Sequence, residues 1–244
     1  MKAMIFAAGL GTRLRPLTDT LPKALVPVGG APLLYHVLMK LKAAGITEFV
    51  INVHHFADKI VSYLEENDRF GMDISISDET DGLLETGGGI LHARQFLDGP
   101  FLVHNVDILS NLDVASFIGK ARPEALATLL VSDRQTSRYL LFDDDMRLKG
   151  WTNISTGEVR SPYPDLDPAS CRKLAFSGIH LVSDKIFDAF GEYGFSGRFP
   201  IMDFYLKACR DCPVYGAVQP GLELMDVGKT DTLAQAEEFL KSSI

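Results

Sequence analysis

Short apolar runs alternate with amphipathic stretches along the first half of the chain, and this alternation limits the fold more than any other feature. The runs KAMIFAAG (2–9) and PFLVHNVD (100–107) are typical of buried strands, and PLLYHVLMKLKAAG (32–45) of a helix that Gly45 ends. Repeated strand–helix–strand units close as parallel strands with right-handed crossovers. The pattern therefore predicts an α/β fold with a Rossmann-like, mixed but mostly parallel sheet and helices on both faces.

The second half of the chain has a different pattern. Residues 139–151 alternate around the run Asp143–Asp145, as in a hairpin, and the polar, proline-containing residues 152–173 predict a long connection. Neither half shows a repeat or a clear linker. We therefore expect one domain over residues 1–244, in which a mixed β region is inserted into an α/β core.

Charge and composition narrow the classes of function. The 244 residues carry a formal net charge of −8, which argues against a nucleic-acid partner, although a few cations in a cleft can still bind a small anion. No apolar run approaches the ~18 residues of a membrane span, so no membrane partner is expected. The three cysteines, an odd number, fit a reducing compartment. The expected location is the cytoplasm.

The stretch from Phe6 to Val28, directly after the first predicted strand, combines positively charged side chains with glycines. Glycines at the carboxyl end of a strand let backbone N–H groups approach a phosphate, arginine suits a two-pronged grip on pyrophosphate, and lysine acts as a point charge. Gly9, Gly11, Arg13 and Lys23 provide these groups. The stretch lacks the GxxxxGK[ST] pattern of a P-loop and the third glycine of a dinucleotide fingerprint. A merely solvated basic loop is the structural alternative.

The same residues carry a specific resemblance. AAGLGTRLRPLTDTLPKALVPV (7–28) resembles the signature GxGTRLxPLTxxxPKxLxPV of the sugar-phosphate nucleotidylyltransferases, which join a nucleoside triphosphate to a sugar 1-phosphate and release pyrophosphate. The resemblance extends over essentially the whole chain. It implies the nucleotide-diphospho-sugar transferase fold, with a nucleotide-binding part at about 1–110 and a sugar-binding part at about 111–225.

The resemblance also implies roles for individual residues. Arg13, Lys23 and Asp107 would be catalytic, and Mg²⁺ would be held by Asp107 and Asp226. Asp226 lies in a segment like the family's DxGT, although Lys229 stands where that pattern has threonine. The expected nucleotide-binding residues are Ala7, Ala8, Gly9, Gly11, Thr12, Arg13, Lys23, Thr86, Gly87 and Gly88. For Gly87 and Gly88 the structural alternative is helix packing.

The sequence indicates the identity of the sugar substrate and of the nucleotide base less specifically. LLETGGGIL (83–91) resembles uridylyltransferases that act on N-acetylmuramic acid 1-phosphate, but mannose-1-phosphate guanylyltransferases and choline-phosphate cytidylyltransferases share much of the opening loop. Trp151 is as well explained as a hairpin core residue, and Asp203 as a solvent-facing helix residue. The expected sugar-binding residues are Asn105, Lys149, Trp151, Asn153, Ser177, Gly178 and Asp203.

Two competing interpretations are weaker on the sequence. The run Asp143–Asp145 contains a nominal DxD like that of metal-dependent glycosyltransferases, although its position between alternating stretches favours a hairpin turn. A non-catalytic module that senses nucleotide sugars could retain the same fold. The presence of Arg13, Lys23, Asp107 and Asp226 together favours the enzyme.

Overall fold

The computed structural model describes residues 1–242, which form fourteen strands and seven α-helices joined by loops and short 3-10 turns. The strands are β1 Lys2–Phe6, β2 Pro27–Val28, β3 Ala31–Pro32, β4 Glu48–Val53, β5 Asp73–Asp78, β6 Phe101–Asn105, β7 Ile108–Ser110, β8 Ala127–Ser132, β9 Arg138–Phe142, β10 Leu148–Asn153, β11 Glu158–Arg160, β12 Arg172–Val182, β13 Val214–Val218 and β14 Leu224–Asp226. The helices are α1 Leu33–Ala43, α2 Ala57–Glu66, α3 Glu85–His92, α4 Val114–Gly119, α5 Ile186–Glu192, α6 Ile201–Ala208 and α7 Leu233–Ser242. None of these helices combines the length and the apolar character needed to cross a bilayer.

A ten-stranded sheet organises the described residues, and it has two unlike halves. One half has the order β6-β1-β4-β5 with parallel pairing throughout. The other half, β12-β9-β10-β11, is antiparallel and joins the first through the antiparallel pair β12–β6, while β8 and β13 branch from β12. The predicted α/β fold with a parallel core and an inserted β region is confirmed.

Successive residues of the central strands enter opposite cores. Ala3 and Ile5 of β1 pack into the cluster formed with α1, α2 and α7, whereas Met4 packs into the cluster formed with α3, α5 and α6. All three side chains are fully buried. A strand covered on both faces reads as a continuous apolar run, which is why KAMIFAAG was recognisable from the sequence.

The predicted long connection over 152–173 is wrong at both ends. β10 continues to Asn153, the short strand β11 then pairs with it at Trp151–Arg160, and β12 already begins at Arg172. All three residues of β11 are exposed. An exposed edge strand has no apolar alternation, so the sequence pattern gave no signal for it.

The hairpin predicted around Asp143–Asp145 is present. Strands β9 and β10 pair antiparallel with Leu148 opposite Phe142, and Met146 donates its N–H to the carbonyl of Asp143, which closes the turn. The acidic run therefore serves as a turn.

The strand order places a ligand-binding crevice beside β1. Its neighbours β4 and β6 extend the sheet in opposite directions, so the loops after these strands diverge at their carboxyl ends. Open α/β sheets bind their ligands at such a point. Near this crevice, a two-stranded ribbon pairs β14 with β7 and sets Asp226 opposite Ile108. Ile108 directly follows Asp107, which lies two positions after the end of β6.

Candidate active site

A first cleft of about 220 Å³ opens at the carboxyl ends of β1, β4, β5 and β6. Its walls combine backbone of the loop after β1 with side chains that follow the neighbouring strands. Among the residues that line it are Ala7, Ala8, Gly9, Lys23, Asn52, Glu79, Thr86, Asn105 and Asp107.

The loop after β1 owes its shape to Gly11. Its φ of +63° lies in the left-handed region, and a Cβ atom there would meet Cγ2 of Thr18 at 2.8 Å. The Gly11 carbonyl accepts hydrogen bonds from the Thr18 hydroxyl and from the N–H of Leu14, at 2.8 Å each. This closed turn starts the 3-10 segment Thr12–Leu14, which carries Arg13.

Two backbone amides of the expected anion cradle are already used. Ala7 and Ala8 both donate to Oδ1 of Asn52, at 2.7 Å and 3.3 Å. Asn52 in turn donates to Oε1 of Glu79 at 2.7 Å, and the N–H of Leu84 donates to Oε2 at 3.1 Å. The start of the loop is therefore fixed by a buried side-chain network, and only amides beyond Ala8 remain for a phosphate.

Sequence reasoning missed Asn52 and Glu79. Both are 2 % exposed and both line the first cleft. A polar residue inside the apolar run of β4 was the available signal, because a buried amide needs hydrogen-bonding partners on neighbouring strands. Their partners lie on other elements, so the network itself was beyond the sequence pattern.

Lys23 and Asp107 meet at the floor of the first cleft. The ammonium of Lys23 forms a salt bridge with Oδ2 of Asp107, and the two side chains are 11 % and 20 % exposed. Pro22 and the 3-10 segment Lys23–Leu25 direct the lysine inward, while Asp107 lies two positions after the end of β6. Limited water contact strengthens the electrostatic interaction within this pair, and also that of the Lys23 ammonium with a bound anion.

Asp226 and Arg13 lie at the neighbouring edge of this floor. The N–H of Val227 donates to the carbonyl of Asp107 at 2.8 Å, which ties β14 to the end of β6. A Cβ atom on Gly228 would lie 2.7 Å from Oδ1 of Asp226 and 3.1 Å from Nη2 of Arg13, so both charged groups lie against this glycine. The fold thus brings together the four charged residues that the sequence singled out.

A second cleft of about 210 Å³ adjoins the first and shares Asn105 with it. Its lining also includes Ile108, Arg134, Phe176, Ser177, Gly178 and Asp226. The register between β12 and β8 shifts after Phe176, so Ser177 and Gly178 lie in a bulge, a feature that often re-aims side chains beside active sites. The second cleft therefore lies where the inserted half of the sheet meets β6 and the β14–β7 ribbon, with Asp226 in its wall.

The metal-binding potential of the floor rests on carboxylates. Within residues 1–242 no group of three or more histidine, cysteine, aspartate or glutamate side chains is close enough to hold a metal without further ligands. The β14–β7 ribbon sets Asp226 opposite Ile108, the residue after Asp107 in the chain, so two carboxylates are available near the floor. Mg²⁺ binds in this way in many enzymes, through one or two carboxylates, water and substrate phosphates.

A family model described as nucleotidyl transferase matches residues 2–243. The chain belongs to this family. N-acetylmuramate α-1-phosphate uridylyltransferases from Caulobacter vibrioides and Neisseria meningitidis serogroup B are 35 % and 34 % identical to it, with coverage of 98 % and 97 % of this chain and 96 % and 97 % of theirs. The fold matches a candidate glucose-1-phosphate thymidylyltransferase from Bacillus anthracis with a TM-score of 0.81, at 22 % identity and 98 % and 94 % coverage. The predicted family resemblance is confirmed, and the chain is a nucleotidyltransferase.

In this nucleotidyltransferase, Gly87 and Gly88 of α3 pack against the backbone of residues 197–199. The N–H groups of Gly87 and Gly88 donate to the carbonyl of Phe199, at 2.9 Å and 3.1 Å, and a Cβ atom on Gly88 would lie 2.2 Å from the carbonyl oxygen of Gly197. The hydroxyl of Thr86, which lines the first cleft, accepts the N–H of Ile201 at 2.9 Å. These contacts support the packing interpretation of the two glycines.

Four of the expected sugar-binding residues lie outside both clefts of the nucleotidyltransferase. Lys149 pairs with Asp143 at 3.1 Å and lines a separate groove. Trp151 packs against the core cluster of α3, α5 and α6. Asn153 caps the turn before β11, where its Oδ1 accepts the N–H of Ser155, and Asp203 pairs with Arg160 at 2.7 Å.

Two fully buried histidines and a buried cysteine do not line either cleft. Burial lowers the pKa of His104 to about 4 and that of His180 to about 3. Burial also raises the pKa of Cys209 to about 12, so this thiol stays protonated at neutral pH. A redox role for the Cys209–Cys212 pair would need a lowered thiol pKa, which burial opposes.

Proposed function

We propose that this nucleotidyltransferase transfers uridylate from UTP to a sugar 1-phosphate, N-acetylmuramic acid 1-phosphate, with release of pyrophosphate. The names of the two full-length relatives support this choice of substrates. Mannose-1-phosphate guanylyl transfer and choline-phosphate cytidylyl transfer are the alternatives to be separated by experiment.

One observation carries the proposal: a charged floor joins two clefts that share Asn105. The first cleft is lined by residues 6–107 and the second draws most of its lining from residues 108–226. This division supports nucleotide binding by about residues 1–110 and sugar binding by about residues 111–225. In this assignment the nucleotide lies against Ala7, Ala8, Gly9 and Thr86. The loop around its phosphates is shaped by Gly11 and Thr12. The sugar contacts Asn105, Ser177 and Gly178.

The reaction needs charge stabilisation more than proton transfer. A phosphate monoester has a second pKa of about 6 and is largely a dianion at neutral pH, so its oxygen attacks the α-phosphorus without a protein base. The new bond forms between that oxygen and the α-phosphorus, the bond to the bridging oxygen breaks, and pyrophosphate leaves with the electron pair. Lys23 neutralises charge at the α-phosphate and Arg13 binds the departing pyrophosphate. Both act by positioning and electrostatics.

Mg²⁺ is the proposed cofactor, with Asp107 and Asp226 as its protein ligands. Their oxygen donors fit a hard cation, and the remaining ligands would come from water and phosphate. When bound, the ion supplies Lewis-acid stabilisation of the phosphate oxygens. Asp107 also holds the ammonium of Lys23 in line with the cleft floor. We further propose that the reaction takes place in the cytoplasm, as part of cell-wall recycling.

The test is pyrophosphate release from the purified chain across UTP, GTP, CTP and dTTP, each with N-acetylmuramic acid, mannose and glucose 1-phosphates or phosphocholine, with and without Mg²⁺. The proposal expects turnover with UTP and N-acetylmuramic acid 1-phosphate, dependent on Mg²⁺. Preference for GTP with mannose 1-phosphate, or CTP with phosphocholine, would replace the substrates. Binding of UDP-sugar without turnover of any pair would favour the non-catalytic module.

A further inference from the structure

The second cleft is lined by an arginine side chain, Arg134, to which the proposed catalytic mechanism assigns no role. Arg134 follows β8, is exposed, and lines this cleft together with Ser177 and Asp226. Its Nη2 donates to the carbonyl of Phe176 at 3.2 Å. Among residues 1–242 no carboxylate lies within ion-pair distance of its guanidinium. Most of its five N–H donors therefore remain available to a ligand.

The rest of the second cleft is also prepared for a polar ligand. Ser177 is 3 % exposed, and its hydroxyl has no hydrogen-bond partner within the described part of the chain. Buried hydroxyls are nearly always paired, so an unpaired one in a cleft wall points to a ligand group. Gly178 has φ +73°, and a Cβ atom there would lie 2.7 Å from Nδ2 of Asn105, so the glycine lets the amide lie over the cleft.

Arg134 is anchored on a different part of the fold from the charged floor. The floor cations Lys23 and Arg13 are anchored at Asp107 and beside Asp226, in the parallel half of the molecule and its ribbon. Arg134 is anchored to Phe176, where β8 and β12 pair in the inserted half. A ligand that spans the cleft thus meets the floor cations at its phosphate and Arg134 at another group.

We propose that Arg134 is a specificity-determining residue that binds a carboxylate on the sugar, so that the enzyme prefers a sugar acid 1-phosphate over its neutral counterpart. This rests on the proposed function and adds one feature to it. N-acetylmuramic acid carries a lactyl ether that ends in a carboxylate, whereas N-acetylglucosamine has a hydroxyl at that position. Arginine recognises carboxylates through its planar fork, with two parallel hydrogen bonds.

The test compares Arg134→Met with the wild type on the two sugar 1-phosphates, using UTP and saturating Mg²⁺. Methionine keeps much of the side-chain length and removes the charge. We expect kcat/KM for N-acetylmuramic acid 1-phosphate to fall about 10- to 100-fold, the loss of one charge-assisted contact, with that for N-acetylglucosamine 1-phosphate nearly unchanged. Arg134→Lys should recover part of the preference. Arg138→Met, which removes an exposed arginine of β9, is the matched control.

Several outcomes would overturn the assignment. Equal loss for both sugars would mean that Arg134 binds the 1-phosphate, and no loss for either would mean that it binds no substrate. A second readout is independent of turnover: calorimetric binding of UDP-N-acetylmuramic acid and UDP-N-acetylglucosamine to both proteins. If the wild type turns over UTP but binds the two UDP-sugars equally, or binds neither, the carboxylate assignment fails. Turnover restricted to another base would instead defeat the proposed function, and the two sugar 1-phosphates would then be compared with that nucleoside triphosphate.

Discussion

The ammonium of Lys23 lies on the carboxylate of Asp107, although 84 residues separate the two in the chain. One residue comes from the loop after β1 and the other from the end of β6, the strand beside it in the sheet. A parallel sheet aligns the carboxyl ends of neighbouring strands, so this pairing is a direct product of the fold.

Replacing Lys23 by methionine is expected to abolish most activity with little loss of binding. The ammonium stabilises charge that develops at the α-phosphate, so its removal should lower kcat about 10²- to 10³-fold, or about 3–4 kcal/mol of barrier. Steady-state pyrophosphate release measures this. Lys185→Met, at an exposed position before α5, is the control. A Lys23→Met enzyme with unchanged kcat would remove Lys23 from the catalytic set.

Neutralising Asp226 should weaken the response to Mg²⁺. Asp226→Asn removes one of two carboxylates at the floor, so a higher Mg²⁺ concentration is expected to be needed for half-maximal activity. A magnesium titration of initial rates measures the shift. Asp144→Asn, in the exposed turn between β9 and β10, tests the competing DxD and should leave the titration unchanged. The reverse pattern would move the metal to the turn.

Truncating Asn52 should loosen the loop after β1. Asn52→Ala leaves the buried amides of Ala7 and Ala8 and one oxygen of Glu79 without their partner, at a cost of about 1–3 kcal/mol of unfolding free energy. Because the loop borders the first cleft, the KM for the nucleotide should rise more than the KM for the sugar phosphate. Urea unfolding and steady-state kinetics measure the two effects. Asn67→Ala, which removes an exposed amide bonded to the Tyr63 carbonyl, should change neither.

Adding one methyl group to α3 should destabilise the protein. In Gly88→Ala the new Cβ atom would lie 2.2 Å from the backbone oxygen of Gly197, which cannot move alone, so a loss of about 1–3 kcal/mol is expected. Gly191→Ala in α5 meets no atom within 4 Å and should be neutral or stabilising. Thermal unfolding of the two variants provides the comparison. Equal melting temperatures would mean that α3 is free to shift.

Stability should fall in mild acid because of the buried histidines. His180 has a pKa of about 3 in the fold, against about 6.5 for an unfolded histidine, so only the unfolded chain binds a proton between these values. Its contribution is complete above pH 6.5 and declines as pH falls, by about 1.4 kcal/mol at pH 5.5. Urea unfolding at pH 7.5 and 5.5 should therefore show a smaller loss in His180→Gln than in the wild type. Identical losses would exclude His180 as a source.

Much of the fold could be predicted from the sequence because the patterns that indicate it lie within short segments of the chain. The buried strands β1, β4 and β6 are mostly apolar runs, and the glycine-and-cation loop follows the first of them. Asp107 could be named because it ends the apolar run PFLVHNVD (100–107), as the family's strand-end metal ligand does. Strand β11 was missed because all of its residues are exposed.

The sequence by itself determined the α/β class, the family and the identities of the charged residues at the cleft floor. Tertiary structure alone decided that Asp226 reaches the end of β6, through the register of the β14–β7 ribbon. It also decided that Asn52 occupies the amides of Ala7 and Ala8, and that Lys149 and Asp203 pair with Asp143 and Arg160 outside both clefts. The physical reason is the same in each case: strand pairing and register join residues that are distant in the chain, and local pattern carries no information about register.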